Sequence, residues 1–190
     1  MPNWCNNTVT IGHSDPAKLY ALVEAVNEGK FCSFVIPTPQ DLLDTVAGFP
    51  GEDKREAHEA QMKRNLELYG AKDWYDYQTS RWGTKWDVDP YDKIEFDDQW
   101  DKTVTFGFDS AWSPPLGVYE ELVEQGYTVK AFYYEPGMAY AGRWEDGDDD
   151  YIELGGMSAD EVAAEIDPEL DEIMNISESM REWEEENAEE

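Results

Sequence analysis

Three sets of residues in this chain are of types that do chemistry. One is the carboxylate run Glu145-Asp146-Gly147-Asp148-Asp149-Asp150-Tyr151-Ile152-Glu153. The second is the pair Cys5 and Cys32 with His13 and His58, and the third is the basic and aromatic stretch Arg81-Trp82-Gly83-Thr84-Lys85-Trp86-Asp87. A calcium loop wants alternating Asp or Asn ahead of a glycine at its sharp turn, and a closing Glu. Here Gly147 precedes the aspartates, so the spacing fails and the run reads as a solvated hairpin tip. The cysteines and histidines reach the four ligands a zinc site needs, but no short Cys-Cys or His-His spacing links them. Two small buried residues fit the cysteines better, and two are too few for a disulfide framework. No glycine-rich phosphate loop, nucleophile elbow or His-Glu-x-x-His motif occurs. Nothing sets two carboxylates across a cleft. The chain therefore reads as non-catalytic, with no metal and no cofactor.

Charge is the strongest signal. The 190 residues hold 44 acids and 14 bases, a net charge of −30. Residues 145–190 carry 20 of the acids and one base, Arg181. Self-repulsion on this scale opposes folding. Binding nucleic acid directly is excluded as an expectation, because that binding runs on Lys and Arg neutralising phosphates. No apolar run approaches a membrane span. The start, MPNWCNN, lacks a charged region followed by an apolar one, so no secretory signal is expected and the cytoplasm of a bacterial host is the expected setting.

The elements that must position these residues follow from periodicity and punctuation. Thr8 to Gly12 reads as a strand. Ser14 or Asp15 caps a helix, with Pro16 in its first turn, that runs to Gly29. Phe31 to Ile36 reads as a second strand, stopped by Pro37 and Pro39. Residues 40–51 read as a loop with a short helical piece, Glu52–Tyr69 as a helix, and 73–82 as an aromatic-rich helix. Ile94-Glu95-Phe96 is a short strand candidate. Thr103 to Phe108 alternates as a half-buried strand does, and Ser113-Pro114-Pro115 opens a helix to Glu124. Tyr127 to Tyr134 is another strand. Tyr140–Trp144 and Tyr151–Leu154 pair around a turn of Asp146 to Asp150. The β-α-β pattern thus occurs twice, with a helical insertion at about 52–82.

Residues 156–190 form an acidic tail. Ser158-Ala159-Asp160-Glu161 is a capping box, and Asp167-Pro168 starts another helix. Leu170, Ile173, Met174, Ser177, Met180 and Trp183 keep helical spacing, which predicts a short helix and then a longer amphipathic one.

Two readings fit Arg81 to Asp87. In one, Trp82 or Trp86 stacks on a base and Arg81 or Lys85 meets a phosphate. In the other, the indoles brace the fold, Gly83 allows a close backbone approach, and Lys85 pairs with Asp87 or Asp89. In so acidic a chain the brace is favoured. By the same argument Trp112 fills the core.

Five pieces occur in order: MPNWCNN, Phe34-Val35-Ile36-Pro37-Thr38-Pro39, Trp82-Gly83-Thr84-Lys85-Trp86-Asp87, Asp109-Ser110-Ala111-Trp112-Ser113-Pro114-Pro115, and Tyr134-Glu135-Pro136-Gly137 leading to Ala141-Gly142. Together they resemble the YubB-type ferredoxin-like family carried by phages and plasmids, over roughly residues 1–155. The resemblance implies an α+β domain, a ferredoxin-like sheet of two β-α-β units with helices on one side, and a mobile-element protein. It implies no mechanism, and the tail lies outside it.

The charge then suggests a function. Carboxylates on a rigid surface imitate backbone phosphates, so the chain is expected to be a DNA mimic. It would be a phage- or plasmid-encoded anti-defence protein occupying the basic channel of a host nucleic-acid-binding protein, such as a restriction or CRISPR complex. The expected contact residues are Asp146, Asp148, Asp149, Asp150, Asp160, Glu161, Glu165, Glu169, Glu172, Glu184, Glu185 and Glu186. The alternative is a protein–protein adaptor that docks, or pairs two copies, through Ile173, Met174, Met180 and Trp183 in the helix-in-groove mode. Adaptation to a salty cytoplasm ranks below both, because the acids are concentrated in one segment.

Overall fold

A computed structural model describes residues 3–95 and 102–188. Its centre is β1 (Trp4–Gly12), whose side chains alternate: Cys5, Asn7, Val9 and Ile11 are buried, and Asn6, Thr8 and Thr10 point the other way. β2 (Thr103–Ala111) and β3 (Thr128–Glu135) flank it, both antiparallel, with Val9 opposite Phe106 on one side and Ala131 on the other. β4 (Tyr140–Glu145) and β5 (Asp148–Glu153) extend the sheet to the order β2-β1-β3-β4-β5. The protein is thus α+β with a five-stranded antiparallel sheet. Since β2 and β3 both oppose β1, they run parallel to each other. The helix between them, α6 (Leu116–Glu124), makes a β-α-β unit split around β1.

One face of the sheet carries the main core. α1 (Pro16–Asn27), capped by Asp15 as the sequence predicts, buries Leu19, Leu22, Val23 and Val26 there. α6 adds Val118, Tyr119 and Leu122, and Trp82, Phe106, Phe108 and Trp144 complete the cluster. α3 (Gln40–Leu43), a 3-10 turn (Glu52–Lys54), α4 (Arg55–Tyr69) and α5 (Trp74–Arg81) match the predicted loop helix and insertion.

The second predicted strand is a helix, α2 (Phe31–Val35). A short apolar run cannot be told from a buried helical turn by periodicity alone. Here Asp87, far along the chain, decides it. Its carboxylate accepts from the backbone N–H groups of Cys32 (2.7 Å) and Ser33 (3.0 Å), two of the donors a helix start leaves without a partner. Only one of the two expected β-α-β units therefore forms. Ile94 and Glu95 are not in a strand either, and Phe96 lies outside the described residues. The Asn27 side chain takes both backbone groups of Ile94, donating to its carbonyl at 2.9 Å and accepting its N–H at 2.8 Å, in place of a strand ladder.

The tail covers part of the other face. α7 (Ala159–Glu165) starts at the Ser158–Glu161 capping box and α8 (Pro168–Met174) at Asp167, both as predicted. The predicted long helix is broken. Asn175 turns left-handed at φ 51°, and Asp171 accepts from the N–H (2.8 Å) and hydroxyl (2.5 Å) of Ser177, so that α9 (Ile176–Ala188) sets off anew. Asn is among the few non-glycine residues that adopt this conformation readily. Val162, Ile166, Leu170 and Ile176 pack on Phe132, Ala141 and Leu154 in a second, smaller core.

The hairpin turn is shorter than expected. Asp146 and Gly147 alone make it, with φ 46° and 111°, the backbone a two-residue hairpin requires. Asp148, Asp149 and Asp150 therefore lie inside β5, not at a loop tip. No helix among the described residues is long and apolar enough to cross a membrane.

Candidate functional site

The twelve acids named from sequence fall on one part of the molecule, the β4–β5 hairpin and the three tail helices. Their surroundings differ. Asp146 accepts the Val129 N–H at 2.8 Å and so ties the turn to β3. Asp149 accepts from the Tyr133 hydroxyl at 2.6 Å. Burial first, and that bond second, push the Tyr133 phenol far above its usual range. Glu161 accepts the Ser158 N–H and hydroxyl at 2.8 and 2.9 Å, and the backbone bond leads in holding its carboxyl below the usual range. Glu184 accepts the Ala159 N–H at 2.8 Å, so it fastens α9 to the start of α7.

Cations reach few of these groups. Asp150 lies 3.9 Å from Arg143, Asp160 lies 3.3 Å from Arg181, and Glu169 lies 2.6 Å from Lys130. The other nine of the twelve have no ion pair among the described residues. Asp148, Glu165, Glu172, Glu185 and Glu186 also make no side-chain hydrogen bond there. An acid that accepts an N–H or O–H keeps its charge, so the surface remains strongly negative while its positions are fixed.

β5 adds a regular spacing. Successive residues of a strand rise about 3.3 Å, close to the roughly 3.4 Å rise per phosphate along one strand of duplex DNA. Side chains alternate along the strand, so Asp148 and Asp150 share the tail-side face at about twice the interval between phosphates of one DNA strand, and Asp149 turns to the opposite face, toward Tyr133. β5 is also an edge strand. Charges on such an edge discourage pairing with another chain, so the same three residues have a second physical use.

Arg81 to Asp87 divides in two: Trp82, Gly83, Thr84 and Asp87 brace the fold, and Lys85 and Trp86 join a partly exposed aromatic cluster. Trp82 is 1% exposed, and its Nε1 donates to the Ile36 carbonyl at 2.9 Å. Gly83 has φ 89°, and a Cβ there would sit 3.0 Å from the Pro114 carbonyl oxygen. The Thr84 hydroxyl exchanges hydrogen bonds with both backbone groups of Ala111, at 3.0 and 3.1 Å. Asp87 caps α2. Lys85 pairs with neither Asp87 nor Asp89. Its ammonium lies 4.3 Å from the Trp86 ring, 5.3 Å from Trp112 and 5.6 Å from Tyr75, within cation–π range. Trp112, expected in the core, is 39% exposed at φ 69°. Trp4 lies 6.2 Å from Trp86 and extends the patch. Sequence reasoning missed this gathering, since Tyr75 and Trp112 reach Lys85, and Trp4 reaches Trp86, from distant parts of the chain.

Cys5 and Cys32 are buried in the main core as free thiols. Burial pushes Cys5 up to about 12, and Cys32 well above its usual range. His13 sits beside Tyr127, and His58 meets the Val46 carbonyl at 2.8 Å. Among the described residues no group of three or more His, Cys, Asp or Glu is arranged to hold a metal ion.

No family model matches the chain, and no curated protein matches it. Among solved structures it is similar to a protein api92 from Yersinia pseudotuberculosis, which carries the family model DUF1281. The two are 13% identical with a TM-score of 0.41, over 82% of this chain and 99% of that one. A likeness at this level defines neither fold nor activity for the present chain.

Proposed function

We propose that the protein is a DNA mimic: a non-catalytic anti-defence protein that occupies the basic nucleic-acid-binding surface of a host restriction or CRISPR complex. One observation carries the reading. The acids of the hairpin and tail stand on elements fastened to the sheet by the second core, so their charges hold a fixed pattern. A flexible acidic tail would lose that pattern and pay the ordering entropy on binding. The nine of these acids that have no ion pair among the described residues support the same reading. It places the protein inside a bacterial cell, as part of a phage or plasmid. It also keeps the ferredoxin-like kinship of the YubB type, which the split β2-α6-β3 unit favours.

The adaptor alternative loses part of its surface. Met174 and Met180 are partly buried against the second core, so of the four residues Trp183 (65% exposed) and Ile173 offer most of the outward apolar area.

The test is capture on the full-length protein from a bacterial lysate, followed by competition. A decoy's partners leave when duplex DNA or high salt is added, and the partner so identified loses DNA binding when the protein is present. Asp→Asn and Glu→Gln changes at Asp148, Glu165, Glu172, Glu185 and Glu186 should remove that inhibition without lowering the melting temperature. Inhibition that survives all five changes, or partners that ignore duplex DNA, would sink the reading.

A further inference from the structure

The acidic layer contains one apolar feature that charge does not explain. Between α9 and the edge of the sheet runs a groove of about 560 Å³, walled by Tyr134, Ala139, Leu154, Met157, Met180 and Trp183. Its size falls within the range of ligand-binding clefts. Two methionines in the wall give it an adaptable surface. Gly155, at its margin, leaves open space where a side chain would project. Trp183 forms one wall while remaining mostly exposed. A large aromatic side chain held half in water beside an apolar cleft is the type of residue that dominates binding energy at protein interfaces.

The charge around the groove selects its occupant. Glu184 lines it directly, and the surrounding segment, residues 145–190, carries 20 acids and one base. That base, Arg181, is engaged by Asp160 and Glu178. A second copy of this chain would bring an equally acidic segment against the first, and like charges at an interface cost several kcal/mol. A cationic partner with apolar side chains satisfies both the groove and its rim. We propose that the groove seats the apolar face of a basic amphipathic helix belonging to the partner protein, with that helix's lysines or arginines meeting the surrounding carboxylates. This inference rests on the decoy reading and deepens it. The acids imitate the phosphates, and the groove supplies an apolar contact that DNA cannot offer, which would let the decoy hold its target at salt concentrations where charge alone is screened.

The experiment uses fluorescence anisotropy with the full-length protein at low and moderate salt. Two fluorescein-labelled peptides of equal length and charge serve as probes, one of Leu and Lys patterned as an amphipathic helix and one of Gly and Lys. The Leu/Lys peptide should bind at least about tenfold more tightly, the return for burying one or two apolar side chains. Gly155→Phe adds bulk at the margin of the groove and should reduce that difference while leaving Gly/Lys binding unchanged. Trp183→Ala, at an exposed position that folding tolerates, should reduce the difference as well. Equal binding of the two peptides, or a preference that both variants leave undiminished, overturns the groove proposal and leaves the decoy reading standing. If neither peptide binds at low salt, the basic-partner reading fails and the groove proposal fails with it.

Discussion

The two faces of the sheet are built on different terms. The main core is large and aromatic, and it takes residues from β1, β2, β3, β4, α1, α2 and α6, with Trp82 and Trp144 fully enclosed. The second core is small and mostly aliphatic. It rests on Phe132, Ala141 and Leu154 below and four tail residues above. In residues 1–144 the charge is mixed, with 24 acids and 13 bases. Over the second face stand most of the acids of residues 145–190, each repelling the others. The first face makes the fold, whereas the second spends a modest apolar contact to hold a repulsive layer in place. A protein that only needed solubility could leave such a tail loose. Fixing it is the costlier choice, and it suits a surface whose charge positions matter.

The largest effect that would break this comparison is Trp82→Ala. It removes an enclosed indole and its bond to the Ile36 carbonyl, and should cost about 3–5 kcal/mol. Denaturant unfolding measures this, and protection from hydrogen exchange should fall on both faces together. A cost under about 1 kcal/mol would mean Trp82 is no brace. Leu170→Ala should cost less, about 2–3 kcal/mol, and differently. Exchange should quicken through α7, α8 and α9 while the amides of β1 stay protected, because the second core can open by itself. Uniform loss of protection would show that the two faces unfold as one.

The faces should also part company with pH. In the main core burial leads in raising Cys5, Cys32, Tyr119, Tyr133 and Tyr140. Each is neutral when protonated, and its folded pKa lies above its unfolded one. Its contribution is therefore complete below the ordinary thiol and phenol range, and is lost as pH rises from about 9. Stability should decline on the alkaline side, and both thiols should resist alkylation at pH 8 until the chain is unfolded. Rapid labelling of either thiol in the native protein would show that the main core opens more readily than its packing implies.

Much of the main face was legible in the sequence. β1 and β2 alternate cleanly, β3 is an aromatic-rich run bounded by Gln125-Gly126 and Glu135-Pro136-Gly137, α1 announces itself by Asp15-Pro16, and α4 and α5 follow helical spacing. What was illegible depends on partners distant in the chain. Phe31 to Val35 is helical because Asp87 caps it. Trp112 leaves the core because its backbone turns left-handed beside the Lys85 cluster. The tail's caps at Ser158 and Asp167 could be read locally, but its break at Asn175 depends on Asp171 folding back to Ser177. For the acidic site, composition located the region. It could not show that Asp148 to Asp150 form a strand edge, or that Asp146, Asp149, Glu161 and Glu184 also hold the structure together. The groove escaped entirely, since its walls come from β3, the turn after it, the end of β5 and α9.

The smallest expected effect tests whether the acids of the tail are held by local chemistry as well as by packing. Ser158→Ala removes the hydroxyl that accepts the Glu161 N–H and donates to the Glu161 carboxylate, and should cost about 1 kcal/mol at neutral pH. The loss should appear as faster exchange in α7 and leave the main core untouched. Its pH dependence gives the sharper readout. The folded pKa of Glu161 is depressed, so its part of the cap is present above the ordinary carboxylate range and is lost as pH falls through the lowered value. Neutralising the neighbouring acids over the same window relieves repulsion and works the other way, so the total stability of the tail is a poor gauge. The difference between Ser158→Ala and the unaltered protein cancels the shared repulsion and isolates the cap. That difference should shrink on acidification, and in Glu161→Gln, which cannot ionise, it should be smaller and independent of pH, because the hydroxyl still accepts the backbone N–H of residue 161. A cost that is constant with pH and unchanged by Glu161→Gln would show that the hydroxyl acts alone, and that the carboxylate at this corner of the acidic layer is free to serve the partner instead of the fold.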